Sequence, residues 1–158
     1  MEKRNLTLLT DLYELTMMNG YYLEGKTDEV AIFDVFFRRN ELITYSLAAG
    51  LEQVVDYVLS LKFGDEEIEY LDSLGIFDKN FLEYLRKLKF TGDIYSVPEG
   101  TVVFPGEPIL TVKAPVIEAQ LIETAILNMI NHQTLIATKS AKICEAAKGD
   151  NVMEFGLR

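Results

Sequence analysis

The sequence is poor in reactive side chains. Its 158 residues hold one cysteine, one histidine and no tryptophan. A lone cysteine excludes an internal disulfide framework, and Cys144 with His132 makes no metal-ligand spacing. Cys144, among Ile143, Ala146 and Ala147, reads as a small buried helix residue. No apolar run reaches the roughly 18 residues that a membrane-spanning helix needs. The opening Leu6 to Leu9 is too short an apolar stretch for a signal peptide. Positive charge is scarce as well: 15 Lys and Arg face 25 Asp and Glu, a net charge of −10. Phosphate backbones need a basic footprint, so nucleic acid is disfavoured as a partner. Both common phosphate-cradling glycine loops are missing. What remains is a composition 49% hydrophobic and 25% charged, that of a soluble cytoplasmic protein with one sizeable core or two small ones. An anionic small molecule would need a local basic cluster to override the global field.

The apolar patterning predicts a mixed α and β chain. Residues 10–24 read as a helix, with Thr10 or Asp11 placed to cap it and Glu14 three residues after Asp11. Val30 to Phe37 is β-branched and aromatic, which predicts a strand covered on both faces. It ends in Arg38-Arg39. Residues 46–62 predict a helix burying Leu51, Val54, Val55, Val58 and Leu59. Two shorter amphipathic helices follow, around Ile68–Leu74 and Phe81–Leu88; the acids Asp65, Glu66, Glu67 and Glu69 suit the first one's N-terminal dipole. All four prolines lie between 98 and 115, where short β runs at 94–97, 101–104 and 109–113 alternate with Gly/Pro turns. That segment predicts a compact β unit. Pro115 then starts a buried helix, Asn131-His132-Gln133 interrupt it, and a second helix runs to Lys148 with Gly149 as its cap. Val152 to Arg158 reads as a strand. A strand after a helix opens an α/β repeat, so the chain is expected to continue beyond Arg158.

Few residues offer chemistry. Arg38 and Arg39 end a predicted strand, and guanidinium suits bidentate phosphate contacts. Tyr13 stands beside Asp11 and Glu14. Phe155 precedes Gly156, which lets a flat ligand approach the backbone. Arg158 lies at the predicted strand's C-terminal end, where α/β barrels gather ligands. His132 reads as a structural histidine.

Motifs along the whole chain carry a family resemblance. They include Thr10-Asp11-Leu12-Tyr13, Phe36-Phe37-Arg38-Arg39, Ala49-Gly50-Leu51-Glu52 and Phe90-Thr91-Gly92-Asp93. Val97-Pro98-Glu99-Gly100, Phe104-Pro105-Gly106-Glu107-Pro108, Glu123-Thr124, Leu135-Ile136-Ala137-Thr138-Lys139 and Glu154-Phe155-Gly156-Leu157-Arg158 follow in order. Together they resemble the N-terminal part of nicotinate phosphoribosyltransferases. The resemblance implies the type II phosphoribosyltransferase fold. Residues 1–115 would form an N-terminal α/β domain, and residues 116–158 the linking helices and the first strand of an α/β barrel otherwise outside this chain.

The implied reaction joins nicotinate to phosphoribosyl pyrophosphate, giving nicotinate mononucleotide and pyrophosphate. Mg²⁺ assists, and ATP hydrolysis is coupled through a phosphohistidine beyond residue 158, which His132 does not match. By resemblance Phe155 and Tyr13 match the two aromatics that sandwich the pyridine ring, Tyr13 coming from the partner of a homodimer. Asp11 matches a polar residue of that shared site and Arg158 an arginine near pyridine and phosphate. Arg38 or Arg39 matches a contact to the phosphoribosyl donor. The chain departs from the family where Glu41-Leu42-Ile43-Thr44-Tyr45 replaces Pro- and Gly-rich turn residues. A related nicotinamide or quinolinate enzyme would use the same fold. A biotinyl or lipoyl carrier could use Gly/Pro turns like those at 92–114, but their tips carry no lysine. Residues 1–158 alone are expected to be inactive.

Overall fold

A computed structural model describes residues 5–39, 41 and 43–156. Helix α1 (Leu12–Leu23) starts from Asp11, whose backbone N–H donates to the Glu14 carboxylate at 3.3 Å, the reciprocal half of a capping box. Strand β1 (Val30–Val35) follows, then the short β2 (Ser46–Leu47). Helices α2 (Leu51–Ser60), α3 (Asp65–Ser73) and α4 (Lys79–Lys87) come next. Strands β3 (Asp93–Ser96), β4 (Val102–Val103) and β5 (Leu110–Pro115) lead into α5 (Val116–Leu121) and the long α6 (Glu123–Ala147).

The strands form two antiparallel sheets. One has the order β1-β5-β3, with Phe33 opposite Val112 and Ile94 opposite the same residue on the other side. The other pairs β2 with β4. The β runs of 94–113 therefore do not close on one another; β3 and β5 pair, while β4 leaves to join β2. Along β5, Leu110, Val112 and Ala114 are buried and Lys113 points out, the alternation of a sheet with one covered face. Helix α5 covers that face and packs on α1. Met18, Leu71, Phe81, Leu85, Leu110, Ile117 and Leu121 are fully buried between the layers. Tyr22 makes tilted ring contacts with Phe81 and Tyr84 at centroid distances of 5.7 and 5.3 Å, and Phe81 and Tyr84 stack near parallel at 6.5 Å.

Several expectations are corrected. Strand β1 is not covered on both faces: it is an edge strand, and Val30 and Ile32 are 61% and 64% exposed. The predicted helix at 46–62 begins only at Leu51, because Ser46-Leu47 pair with Val102-Val103 and Gly50 turns the chain at φ 106°. On α2 the side chains of Val55 and Leu59 face outward. The helical break falls at Ile122, not at 131–133. Asn131 and His132 are exposed on an unbroken α6, where polar side chains reach solvent without disturbing the backbone. Cys144 is exposed. Residues 151–155 are not a strand, since no described strand lies beside them to take their backbone hydrogen bonds. Helix α6 ends in two left-handed residues, Lys148 and Gly149.

Candidate functional site

The end of β1, the N-terminus of α1 and one face of α6 enclose a cavity of about 680 Å³. Three local devices hold its walls. The segment Phe36-Phe37-Arg38 follows the last residue of β1 and is tied down by backbone bonds. Ile109 N–H donates to the Val35 carbonyl at 2.7 Å and Gly106 N–H to the Phe37 carbonyl at 3.0 Å. The turn that makes this possible is Phe104-Pro105-Gly106-Glu107. Gly106 takes φ 84°, and the Glu107 carboxylate accepts from Phe104 N–H at 3.1 Å. The second device seats β2 on α6. Leu47 N–H donates to Thr138 Oγ1 at 2.9 Å, and Thr134 Oγ1 bonds both the N–H and the carbonyl of Ala49. The third is the start of α2, where Glu99 accepts from Gly50 N–H at 2.8 Å and Leu51 N–H at 2.7 Å. Gly50 is required there: a Cβ would meet the Met129 carbonyl at 3.1 Å, and the left-handed φ disfavours any other residue.

The polar lining comes from Asp11, Arg38, Ser46, Thr124, Asn128, Asn131 and Thr134, set among apolar walls from Phe36, Phe37, Ile43, Leu127 and Leu135. No ion pair or hydrogen bond occupies the Arg38 guanidinium, nor the Asn128 and Asn131 carboxamides, among the described residues. A free planar cation and two free carboxamides lining one cavity suit an anionic or polyhydroxylated ligand. The N-terminal edge of α1 is more crowded with charge. Glu14 is fully buried, and Glu123 is pushed above the ordinary carboxylate range, first by desolvation and then by the nearby Glu14 charge. Gln120 opposes this by donating to Glu123 at 2.9 Å. The half-exposed Tyr13 hydroxyl is also raised, by desolvation first and then by Glu123, Glu14 and Asp11, so it stays protonated at neutral pH.

Of the residues singled out from sequence, the fold brings Asp11 and Arg38 to one cavity. Arg39 is exposed and outside its lining. Tyr13, half-exposed on α1, is also outside its lining. Phe155 is 71% exposed and does not reach this cavity. Arg158 lies outside the described residues. Thr124, Asn128, Asn131 and Ser46 were not picked out as lining residues. Asn128 and Asn131, three apart on a helix, carried a signal in retrospect: asparagine is a poor interior helix residue, and both sit on one face.

A family model described as nicotinate phosphoribosyltransferase (NAPRTase) N-terminal domain matches residues 8–131. The chain belongs to the nicotinate phosphoribosyltransferase family. The nicotinate phosphoribosyltransferase of Bacillus subtilis is 50% identical over 157 residues, 98% of this chain and 32% of that protein. The crystal structure of human nicotinic acid phosphoribosyltransferase superposes with a TM-score of 0.85 at 35% identity, covering 95% of this chain and 31% of that one. Nicotinate-nucleotide pyrophosphorylase from Pyrococcus furiosus superposes with a TM-score of 0.73 at 20% identity, over 100% of this chain and 34% of that one, which concerns the fold alone. The mixed α/β layers are thus the N-terminal domain of the type II phosphoribosyltransferase fold. The chain spans about a third of the length of the curated relatives it matches.

Proposed function

We propose that the complete protein joins nicotinate to phosphoribosyl pyrophosphate in NAD biosynthesis, and that this chain supplies binding residues rather than the reacting histidine. The observation that carries the reading is the shared cavity of Asp11 and Arg38 inside a chain whose family match spans residues 8–131. Transfer of an electrophilic ribose to a pyridine nitrogen depends on orienting two anions and stabilising departing pyrophosphate. Arg38 serves the phosphoribosyl donor, and its position in the cavity favours it over Arg39. Tyr13 stacks on the pyridine ring in the partner's site of a homodimer, and Phe155 with Arg158 completes the site from the other subunit. Among the described residues no three His, Cys, Asp or Glu side chains gather to hold a metal. Mg²⁺ would instead be held largely by donor phosphate oxygens and water, and would supply charge neutralisation for the departing pyrophosphate. ATP coupling, in this reading, uses a histidine outside residues 1–158, and the enzyme works in the cytoplasm.

The test is a substrate panel on the complete protein: nicotinate, nicotinamide and quinolinate, each with phosphoribosyl pyrophosphate, with and without ATP. Nicotinate mononucleotide from nicotinate alone is expected, faster with ATP. Turnover of quinolinate or nicotinamide with none of nicotinate overturns the proposal.

A further inference from the structure

Glu14 is fully buried in this acidic chain, yet no ion pair neutralises it among the described residues. A buried carboxylate persists only where donors satisfy it. Three do so here. Thr10 Oγ1 donates to Oε2, Asp11 N–H approaches the same oxygen at 3.3 Å, and Thr124 Oγ1 donates to Oε1 at 2.9 Å. Its place in the first turn of α1 also favours negative charge. The bonds join the start of α1 to the start of α6, across 110 residues of sequence.

Thr124 has a single hydroxyl proton, and two carboxylates lie within its reach. Glu14 Oε1 is at 2.9 Å and Asp11 Oδ2 at 3.3 Å. The shorter contact claims the proton. Asp11 then keeps its acceptor capacity, and it lines the cavity that also holds Arg38. We infer that Glu14 is a positioning residue: it holds Asp11 through the Asp11 N–H and accepts the Thr124 hydroxyl hydrogen bond, so that the Asp11 carboxylate is free to accept a donor from bound substrate. This rests on the proposed reaction and deepens it. Nicotinate must present an unprotonated ring nitrogen to react and carries no other donor. Phosphoribosyl pyrophosphate carries ribose hydroxyls. Asp11 therefore receives a ribose hydroxyl, while Arg38 takes phosphate of the same molecule.

The prediction separates the two substrates. In the complete protein, Asp11→Asn and Glu14→Leu are each expected to raise KM for phosphoribosyl pyrophosphate about tenfold, with KM for nicotinate moving much less. Glu14→Gln keeps an acceptor and can donate to a rotated threonine hydroxyl, so it stays within about threefold of wild type. Adding Glu14→Leu to Asp11→Asn costs little more, because both act through one contact. Equal rises in both KM values, no rise at all, or a Glu14→Gln variant as damaged as Glu14→Leu overturns the inference. Should Glu14→Leu not fold, Thr124→Val removes the linking hydroxyl and is expected to raise the same KM about threefold; an unchanged KM refutes the link. If wild-type protein fails to use nicotinate, the functional reading falls separately. Amide exchange at Asp11 then still reads the positioning without substrate: faster exchange in Glu14→Leu with Glu14→Gln near wild type is expected, and unchanged exchange in Glu14→Leu sinks it.

Discussion

Arg38 and Arg39 are neighbours in sequence, but only Arg38 lines the cavity. Arg38→Ala is expected to raise KM for phosphoribosyl pyrophosphate about tenfold or more, since a charge-assisted hydrogen bond contributes roughly 1.5–3 kcal/mol. Arg39→Ala should change it less than about threefold, within the small effects of exposed charges. Steady-state kinetics of both variants decides, and the reverse order would move the donor site to Arg39. Glu123 gives a prediction in pH. Its folded pKa lies above the unfolded one, so the native state holds the extra proton, and stability falls as pH rises from the unfolded value through the folded one. Glu123→Gln removes that penalty and is expected to stabilise the protein at pH 7, by less than about 1 kcal/mol after solvent screening. The gain should vanish below the ordinary glutamate range. Denaturant titrations at pH 4 and pH 7 check this; a loss at pH 7 would show that the Gln120 bond outweighs the repulsion. Residue types in motifs pointed to Asp11 and Tyr13 from sequence, and to Arg38 or Arg39 without choosing between them. The Glu14–Thr124–Asp11 arrangement was not legible there, because it exists only when segments more than a hundred residues apart meet.

The helices show which elements a sequence declares. Helices α3 and α4 were readable because their apolar faces meet a core within the chain, as Ile68, Leu71, Phe81, Leu82 and Leu85 do. The stretch at 46–50 was misread as helix. Its apolar residues serve β2, which exists only by pairing with β4 across 55 residues. The strand predicted at 152–158 failed for the complementary reason: residues 151–155 have no described strand beside them. Turn chemistry was legible in kind but not in use. The Pro98-Glu99-Gly100 turn reads as a hairpin tip, yet Glu99 bonds the first amides of α2. Glu99→Ala should therefore destabilise the protein by about 1 kcal/mol, and Glu99→Gln by less. Gly92→Ala should cost more, about 1–3 kcal/mol, because its Cβ would lie 2.6 Å from the Lys113 carbonyl and against the Ala114 side chain. Urea midpoints at unchanged m-value measure both. A Gly92→Ala protein of wild-type midpoint would mean that β3 and β5 can separate without loss.

The chain as a whole exposes more surface than a compact protein of its mass should. Its accessible area is 10,703 Å² for 17.9 kDa. A folded monomer of that size exposes about 8,000 Å² by the usual scaling. The excess is apolar in several places. Val30 and Ile32 face outward on β1 with Tyr95 on β3, and Leu127, Leu135, Ile136 and Ile143 lie along α6. Apolar area on this scale is buried against something in a stable protein, whether other parts of the same polypeptide or another copy. Residues 1–158 prepared alone are therefore expected to self-associate. Light scattering should give a mass that rises with protein concentration, and Ile32→Glu, placed at the centre of the open strand, should lower it. The same preparation should form no nicotinate mononucleotide, because the proposed reacting histidine lies outside it. The two outcomes are independent. A clean monomer at all concentrations would show that the open faces tolerate water. Product formation would place the chemistry within the cavity bounded by Asp11, Arg38 and α6.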